Sequence, residues 1–579
     1  MATSPGTVQN LQLAGRLSGV AVPLFLAVLL GFNLPVGLYL RNQDFIATPA
    51  PRIALLALGG TAALALLFVL PTLLLGRRWG ERATGGLAAL GAIAFFHNLL
   101  PLGTKQLLDG SELIFSFSPI AYVASVVGSL ALLGLFLVGY RRLRAPIQLA
   151  AALVAAVFFV TPAIQLWGLP EKPADPEGTS FADISALSPE RNILMILMDS
   201  LQSDVLAELL AAHPERRAGL EGFVLYEDAL GAAATTYMTM PALLAGQVYD
   251  GRSPLREFYV DRVAQGTFLT QLARAGWHVT HVHPMIICEE GVQECTEPSI
   301  LMRSPWAVAL REYAKLLDLG ILNASPYPLR RGIYHRGDWL ARRLLDGGDY
   351  AYLAQSIRLL ERFTAALNTE SPTPTLKLVH LMNTHPPFAL DERCQERRPK
   401  RSREAYQEQI LCGLDRFLAL LDKLRELGVY GRTAVFLLAD TGVTQGWRQA
   451  HRGAVAHGAS PEEAERIGNA SPTLLVKRPG DTGSFRISSA PVQLTDVPGT
   501  VCRIAAACER SYGASLSDVR VGEARRRRYV DYEWTNDSWG KERLLRVDLY
   551  DVVGSAQRSS SWELRERILT ERNVAAPPP

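Results

Sequence analysis

The first 287 residues contain no cysteine, and the first 168 or so carry few charges of either sign. No motif recurs at a fixed period, which excludes a solenoid or propeller built from repeats. No two cysteines are spaced Cys-x-x-Cys, so the usual structural zinc frameworks are disfavoured. The formal charge of +3 over 579 residues is too small to imply a nucleic-acid partner. No small-residue cleavage site follows the first apolar stretch, and more such stretches come after it, so a removed signal peptide is not expected.

What fills the charge-poor region is Leu, Ala, Val, Gly and Phe. A helix crosses a bilayer with roughly 20 apolar residues, and five stretches reach that length, near 17–39, 53–76, 84–103, 119–140 and 146–167. The third ends among His97, Asn98 and Pro101 and is the weakest. A transmembrane domain of about five helices over residues 1–168 is therefore expected. Arg77, Arg78 and Arg82 follow the second stretch and Arg141, Arg142 and Arg144 the fourth, whereas the alternate loops carry only Arg41, Arg52 and Lys105. Positive loops stay cytoplasmic, so the N-terminus is expected inside and the C-terminal part outside, as in a multi-pass protein of a bacterial inner membrane with a periplasmic domain.

All six cysteines lie in that C-terminal part. An even number suits an oxidising compartment. Sequence proximity suggests Cys288 with Cys295, Cys394 with Cys412 and Cys502 with Cys508, although six cysteines permit 15 pairings and scattered buried thiols are the alternative.

Residues 169–190 are rich in Pro, Gly and acids and read as a linker. From 191 to about 575 the pattern changes to apolar runs of strand length, "NILMILM", "TLKLVHLM" and "AVFLLA", separated by amphipathic segments such as "YLAQSIRLLERFTAAL". Such alternation predicts an α/β domain with a mostly parallel sheet between helices. Ligands of these sheets bind beyond the carboxyl ends of the strands, where Asp199, His385 and Asp440 stand. Each residue has a plainer reading: an aspartate can cap the next helix, and Thr441-Gly442 can be a simple turn. In "TTYMTMP", Thr235 and Thr236 precede a short helical segment whose N-terminus would favour an anion, but a threonine there can equally be an N-cap. His451 and His457 can be loop histidines. His281 and His283 share a strand face and read as packing residues, and Arg525 to Arg528 as a solvated face.

Taken in order, "NILMILMDS", "TTYMTMP", "HLMNTHPPF", "FLLADTG" and "ASPTLLVKRPG" resemble the alkaline phosphatase superfamily in its sulfatase-like, membrane-anchored branch. Lipid A phosphoethanolamine transferases and lipoteichoic acid synthases are similar in overall layout. The resemblance implies that Asp199 is the first acidic metal ligand, Thr236 the nucleophile and a ligand, and Asp440 a further ligand. It places His385 in the histidine position of a Thr/Ser-His-Gly-Pro segment. The family's Asp-His-Gly is Asp-Thr-Gly here, so Thr441 replaces an imidazole. His457, followed by Gly458, is the better match for a further histidine ligand, and Thr235, Thr441 and His451 fall at substrate-binding positions. The implied cofactor is a divalent metal, zinc by resemblance, with manganese or magnesium suited to an oxygen-rich set; the loss of imidazole also leaves room for none.

The activity this implies is transfer or hydrolysis of phosphate-linked headgroups, with a membrane lipid and a lipid or glycan acceptor as partners. The alternative is a degenerate relative that binds envelope lipid as a sensor or scaffold.

Overall fold

A computed structural model describes residues 19–43, 46, 48–100, 117–169, 181–255, 257–258, 266–284, 291–298, 301, 305–335, 339–346, 351–444, 446–532 and 544–569. The chain divides into two units, one of residues 1–105, 112–177 and 303–349, the other of 106–111, 178–302 and 350–579.

Among the described residues, the first 168 positions of the first unit hold five long helices. Four are long and apolar enough to cross a membrane: Ala21–Asn42, Ala50–Leu74, Pro119–Gly139 and Arg144–Trp167. The expected third span is present as the helix Arg77–Asn98, but it falls outside that class because its first turns bear Arg77, Arg78, Glu81 and Arg82. Glu81 ion-pairs with Arg141 at 3.4 Å and Arg144 at 3.6 Å, so the charges that weaken this helix as a span tie it to the turn between the next two. Residues 303–349 interrupt the domain expected over 191–575, since they group with these helices and not with the sheet.

The second unit is an α/β domain. Its strands are β1 (Asn192–Met198), β2 (Val224–Tyr226), β3 (His278–Val282), β4 (Glu294–Thr296), β5 (Thr375–Leu381), β6 (Thr433–Leu438), β7 (Leu474–Lys477) and β8 (Arg486–Ser488). They form one sheet in the order β4-β3-β5-β1-β6-β7-β2-β8. Neighbours run parallel except that β7 is antiparallel to β6 and β2. Every residue of β1, β5 and β6 is buried, which explains why these strands read as unbroken apolar runs instead of alternating ones. Alternate residues feed two cores: Leu194, Ile196 and Met198 face one with the helix Arg403–Glu426, while Ile193, Met195 and Leu197 face another with Leu243 and Leu244.

A second, antiparallel sheet of β9 (Arg526–Tyr532), β10 (Arg546–Val553) and β11 (Trp562–Leu569) completes the unit. Its first strand corrects the expectation for the arginine run. Strand alternation turns Arg527 inward, where it is fully buried and donates to the Asp228 carboxylate at 3.1 Å and to the Asp228 and Val492 carbonyls. Arg525 ion-pairs with Asp496 at 2.6 Å, and only Arg526 and Arg528 keep exposed side chains.

Cys394–Cys412 and Cys502–Cys508 are disulfides, as expected. Cys295 is also disulfide-bonded, while Cys288 lies outside the described residues. Cys394–Cys412 joins the loop after β5 to the helix Arg403–Glu426 across 18 residues. A crosslink of that span contributes about 3 kcal/mol by restricting the unfolded chain. Cys394→Ser/Cys412→Ser should therefore melt several degrees lower by differential scanning fluorimetry, and reduction should shift the parent protein downward but leave the variant less affected.

Candidate functional site

The site is built at the carboxyl ends of three adjacent parallel strands. Leu197 of β1 lies level with His380 of β5 and with Leu438 of β6, so Asp199, just past β1, emerges beside His380 and the Asp440 that follows β6. The backbone N–H of Asp199 still bonds the Leu381 carbonyl at 2.9 Å, extending the ladder by one step. Ser200 then takes a left-handed conformation with φ of 63°, uncommon for a residue with a side chain and costing on the order of 1 kcal/mol. Three hydrogen bonds hold it: its hydroxyl to Asp199 Oδ1 at 2.8 Å, its N–H to Asp440 Oδ1 at 3.3 Å, and its carbonyl accepting from Tyr406. Beyond Asp440, a Cβ on Gly442 would lie 2.0 Å from the Gly468 carbonyl oxygen, so only glycine fits.

The fourth element is the helix Thr236–Ala245, ended by Gly246 in the left-handed region. Thr235 stands at its N-cap without capping it; the Thr235 hydroxyl instead shares a 2.5 Å hydrogen bond with Tyr532 on β9. The first-turn N–H groups are thus not closed off by a side-chain cap, which suits an anion. The approach to this helix is clamped from the same sheet: Ala234 N–H donates to Val530 O at 3.0 Å, Val530 N–H to Ala232 O at 3.1 Å, and Asn469 links the Ala234 carbonyl to the Tyr529 hydroxyl.

These elements bring Thr236 Oγ1 to 2.5 Å from Asp440 Oδ2 and 3.3 Å from Asp199 Oδ2. His380 Nε2 lies 3.1 Å from that same Asp199 oxygen. Both carboxylates and His380 are buried. Burial raises the Asp199 carboxyl, but the nearby His385, His380 and the Ser200 hydroxyl outweigh it and hold it below its usual range. Burial, then the Asp199 charge, push Asp440 up to about 6. The pair is therefore asymmetric: one firm carboxylate, and one poised to take a proton near neutrality.

Of the residues singled out from sequence, Asp199, Thr236 and Asp440 converge. His385 sits half-buried at the edge, with Nδ1 2.5 Å from the Pro386 carbonyl and 3.4 Å from the Tyr352 hydroxyl; it acts on Asp199 through its field, and the histidine in contact is His380. His457 does not join them. It is exposed at the end of the helix Arg452–Ala456, with Nδ1 2.6 Å from Gly453 O. His451 is buried as the N-cap of that helix, accepting from Ala454 N–H, and its neighbours are Asp204 and Arg403. Thr441 is buried and its hydroxyl has no hydrogen-bond partner among the described residues. His281 and His283 pack ring to ring at 5.2 Å, and His283 meets His380 edge-on at 4.7 Å, so the reading of these two as packing residues agrees with their burial. His380 was overlooked because it lies inside the apolar run and not at its end; a lone histidine on the Leu378 face, two positions before Met382, was the available signal.

Two carboxylates and a hydroxyl meeting at one point form an oxygen donor set that fits a hard divalent cation. Among the described residues no three His, Cys, Asp or Glu side chains are grouped as a metal cage; the third oxygen at this point is the Thr236 hydroxyl.

A family model described as Sulfatase matches residues 191–506. No curated protein matches. Among solved structures, the phosphonate monoester hydrolase of Silicibacter pomeroyi is 15% identical, with 67% of this chain and 90% of that one covered at a TM-score of 0.41. A protein in the alkaline phosphatase superfamily from Vibrio parahaemolyticus is 11% identical over 68% and 85%, TM-score 0.40. A putative sulfatase from Bacteroides thetaiotaomicron is 12% identical over 66% and 86%, TM-score 0.36.

The raised Asp440 gives a test with a definite sign. A carboxyl lifted from 3.8 to about 6 stabilises the fold while protonated, and that contribution is lost as pH rises through 6. At pH 7.5 the ionised form costs on the order of 3 kcal/mol. In chelator, Asp440→Asn should therefore melt higher than the parent at pH 7.5, with the gap closing by pH 4.5. A variant that melts lower at pH 7.5 would show that the charge pair is already neutralised.

Proposed function

This chain belongs to the sulfatase family, and from that premise we propose that it is a membrane-anchored hydrolase or transferase that uses Thr236 as nucleophile on phosphate esters. The observation that carries the reading is the Thr236 hydroxyl donating to Asp440 at 2.5 Å with Asp199 at 3.3 Å. Sulfate-ester hydrolysis is the neighbouring chemistry, but by family resemblance it proceeds through a cysteine or serine converted to formylglycine, and residue 236 is threonine.

Threonine is a weak nucleophile at its free pKa and needs an adjacent base or a cation. Asp440 Oδ2 accepts the Thr236 proton as Oγ1 bonds to phosphorus; the bond from phosphorus to the ester alcohol breaks, and the departing oxygen takes the proton back from Asp440. Water or an acceptor hydroxyl then displaces Oγ1 and restores the threonine. The amides at the start of the helix Thr236–Ala245 face the charge that builds on the phosphoryl oxygens. Asp199 is kept ionised by His380 and His385, so it opposes loss of the second proton from the pair and leaves Asp440 as the group that titrates. Asp199, Asp440 and Thr236 would hold a divalent cation, zinc by resemblance or manganese or magnesium by donor type, which when bound would supply positive charge favouring the threonine alkoxide and polarising a phosphoryl oxygen. The four apolar helices suit a lipid donor that stays in the bilayer, with a lipid or glycan hydroxyl as acceptor, on the extracytoplasmic side where disulfides form.

Thr441 supports a second reading. Its buried hydroxyl stands where the resemblance calls for imidazole and bonds nothing among the described residues, as in a lipid-binding relative that has lost turnover.

Full-length protein offered aryl phosphate, phosphonate and sulfate esters should turn over the phosphorus esters fastest and gain the mass of one phosphoryl group on Thr236. Thr236→Val should lose about 1000-fold or more in rate and gain no mass. No turnover and no adduct with any ester, with or without added zinc or manganese, would favour the lipid-binding reading. Thr441→His should bind zinc more tightly by calorimetry than the parent; equal affinity would count against Asp199, Thr236 and Asp440 as the cation site.

A further inference from the structure

We infer that Tyr532, on the small antiparallel sheet, is a positioning residue for the reaction: its hydroxyl fixes the turn that aims Thr236 Oγ1 at Asp440. The inference rests on Thr236 acting as the nucleophile, as proposed above.

A threonine at an N-cap ordinarily turns its oxygen onto the N–H of the second or third helical residue. Thr235 has the extended backbone of an N-cap but makes no such bond. Its Oγ1 is committed to the Tyr532 hydroxyl at 2.5 Å. The Tyr532 oxygen is in turn hydrogen-bonded by the Met238 N–H, the third-residue amide that a conventional cap would take. A phenol from another sheet thus stands in for the missing cap, and one hydroxyl ties down the residue before Thr236 and the residue two after it.

Thr236 lies between these two ties, as the first residue of its helix. Threonine is branched at Cβ and stiff about χ1, so its Oγ1 goes where the backbone carries it. That oxygen must meet Asp440 Oδ2 at 2.5 Å and Asp199 Oδ2 at 3.3 Å together, and a displacement of about 1 Å costs on the order of 100-fold in rate. Tyr532 is itself firmly held. It is 5% exposed, pairs with Val547 across β9 and β10, and packs in one cluster with Ala234 and Met238. Burial raises its hydroxyl above the usual phenol range, so it stays protonated and serves as a fixed hydrogen-bonding group and not as an acid or base. The ring supplies the packing; the hydroxyl supplies the aim.

Phenylalanine keeps the ring and removes the hydroxyl, which separates the two roles. Full-length Tyr532→Phe, assayed on an aryl phosphate ester well below its melting transition, should show kcat ~10- to 100-fold below the parent, with KM within about twofold. Thr235→Val should lose a similar factor, and Thr235→Ser should recover most of it, because the serine keeps the oxygen; this pair gives the reading should Tyr532→Phe fail to fold. The double variant Thr235→Val/Tyr532→Phe should be no slower than the slower single, as expected for two ends of one bond. An unchanged kcat, a loss confined to KM, or single losses that multiply in the double variant would overturn the inference while leaving the nucleophile in place. A parent that neither turns over nor gains a phosphoryl group on Thr236 would remove the nucleophile, and the inference with it.

Discussion

Two carboxylates buried around one hydroxyl set the terms for the rest of the α/β domain. Asp199 and Asp440 cannot both be ionised in a water-poor setting without a positive neighbour. The fold answers with His380 against Asp199, His385 at the edge, the Ser200 amide on Asp440 and the open start of a helix facing the same point. His380 and the Ser200 amide are delivered by strand ends and the open amides by a helix start, while His385 comes from the loop after β5. The tight turn at Ser200 and the absence of a side chain at Gly442 are the backbone costs of bringing the two acids together.

The parts of this arrangement that a sequence displays are those whose signal is local. Continuous apolar runs announce buried parallel strands, and a carboxylate at the end of such a run announces a rim position, so Asp199 and Asp440 could be found without coordinates. Thr236 could be found because a paired hydroxyl precedes a short helix. His380 could not be assigned its place in the same way, because its role depends on β5 lying next to β1 in register, a non-local fact. His457 illustrates the reverse: its Gly458 neighbour fits a motif, yet the short helix ahead of it carries the ring to the surface. Arg527 was misread because a run of four arginines looks solvated until strand alternation turns one inward against Asp228.

The membrane part shows the same division. Among the described residues length and composition identify four spans, and the helix Arg77–Asn98 differs from them in the charges of its first turns and in His97 and Asn98 at its end. The grouping of residues 303–349 with those helices left no mark in local composition, since "PWAVALREYAKLLDLGILN" reads as an ordinary amphipathic helix. Its partners, Gly31, Gly60 and Leu34, are more than two hundred residues away in sequence, and such pairings are carried by shape and not by pattern.

The Thr235–Tyr532 hydrogen bond joins the residue before Thr236 to a strand almost three hundred residues later in the chain. The site is therefore completed only when β9 arrives and pairs alongside residues 232–234, so a ribosome-bound chain that already has both acids and the threonine still lacks the contact that fixes the threonine's approach.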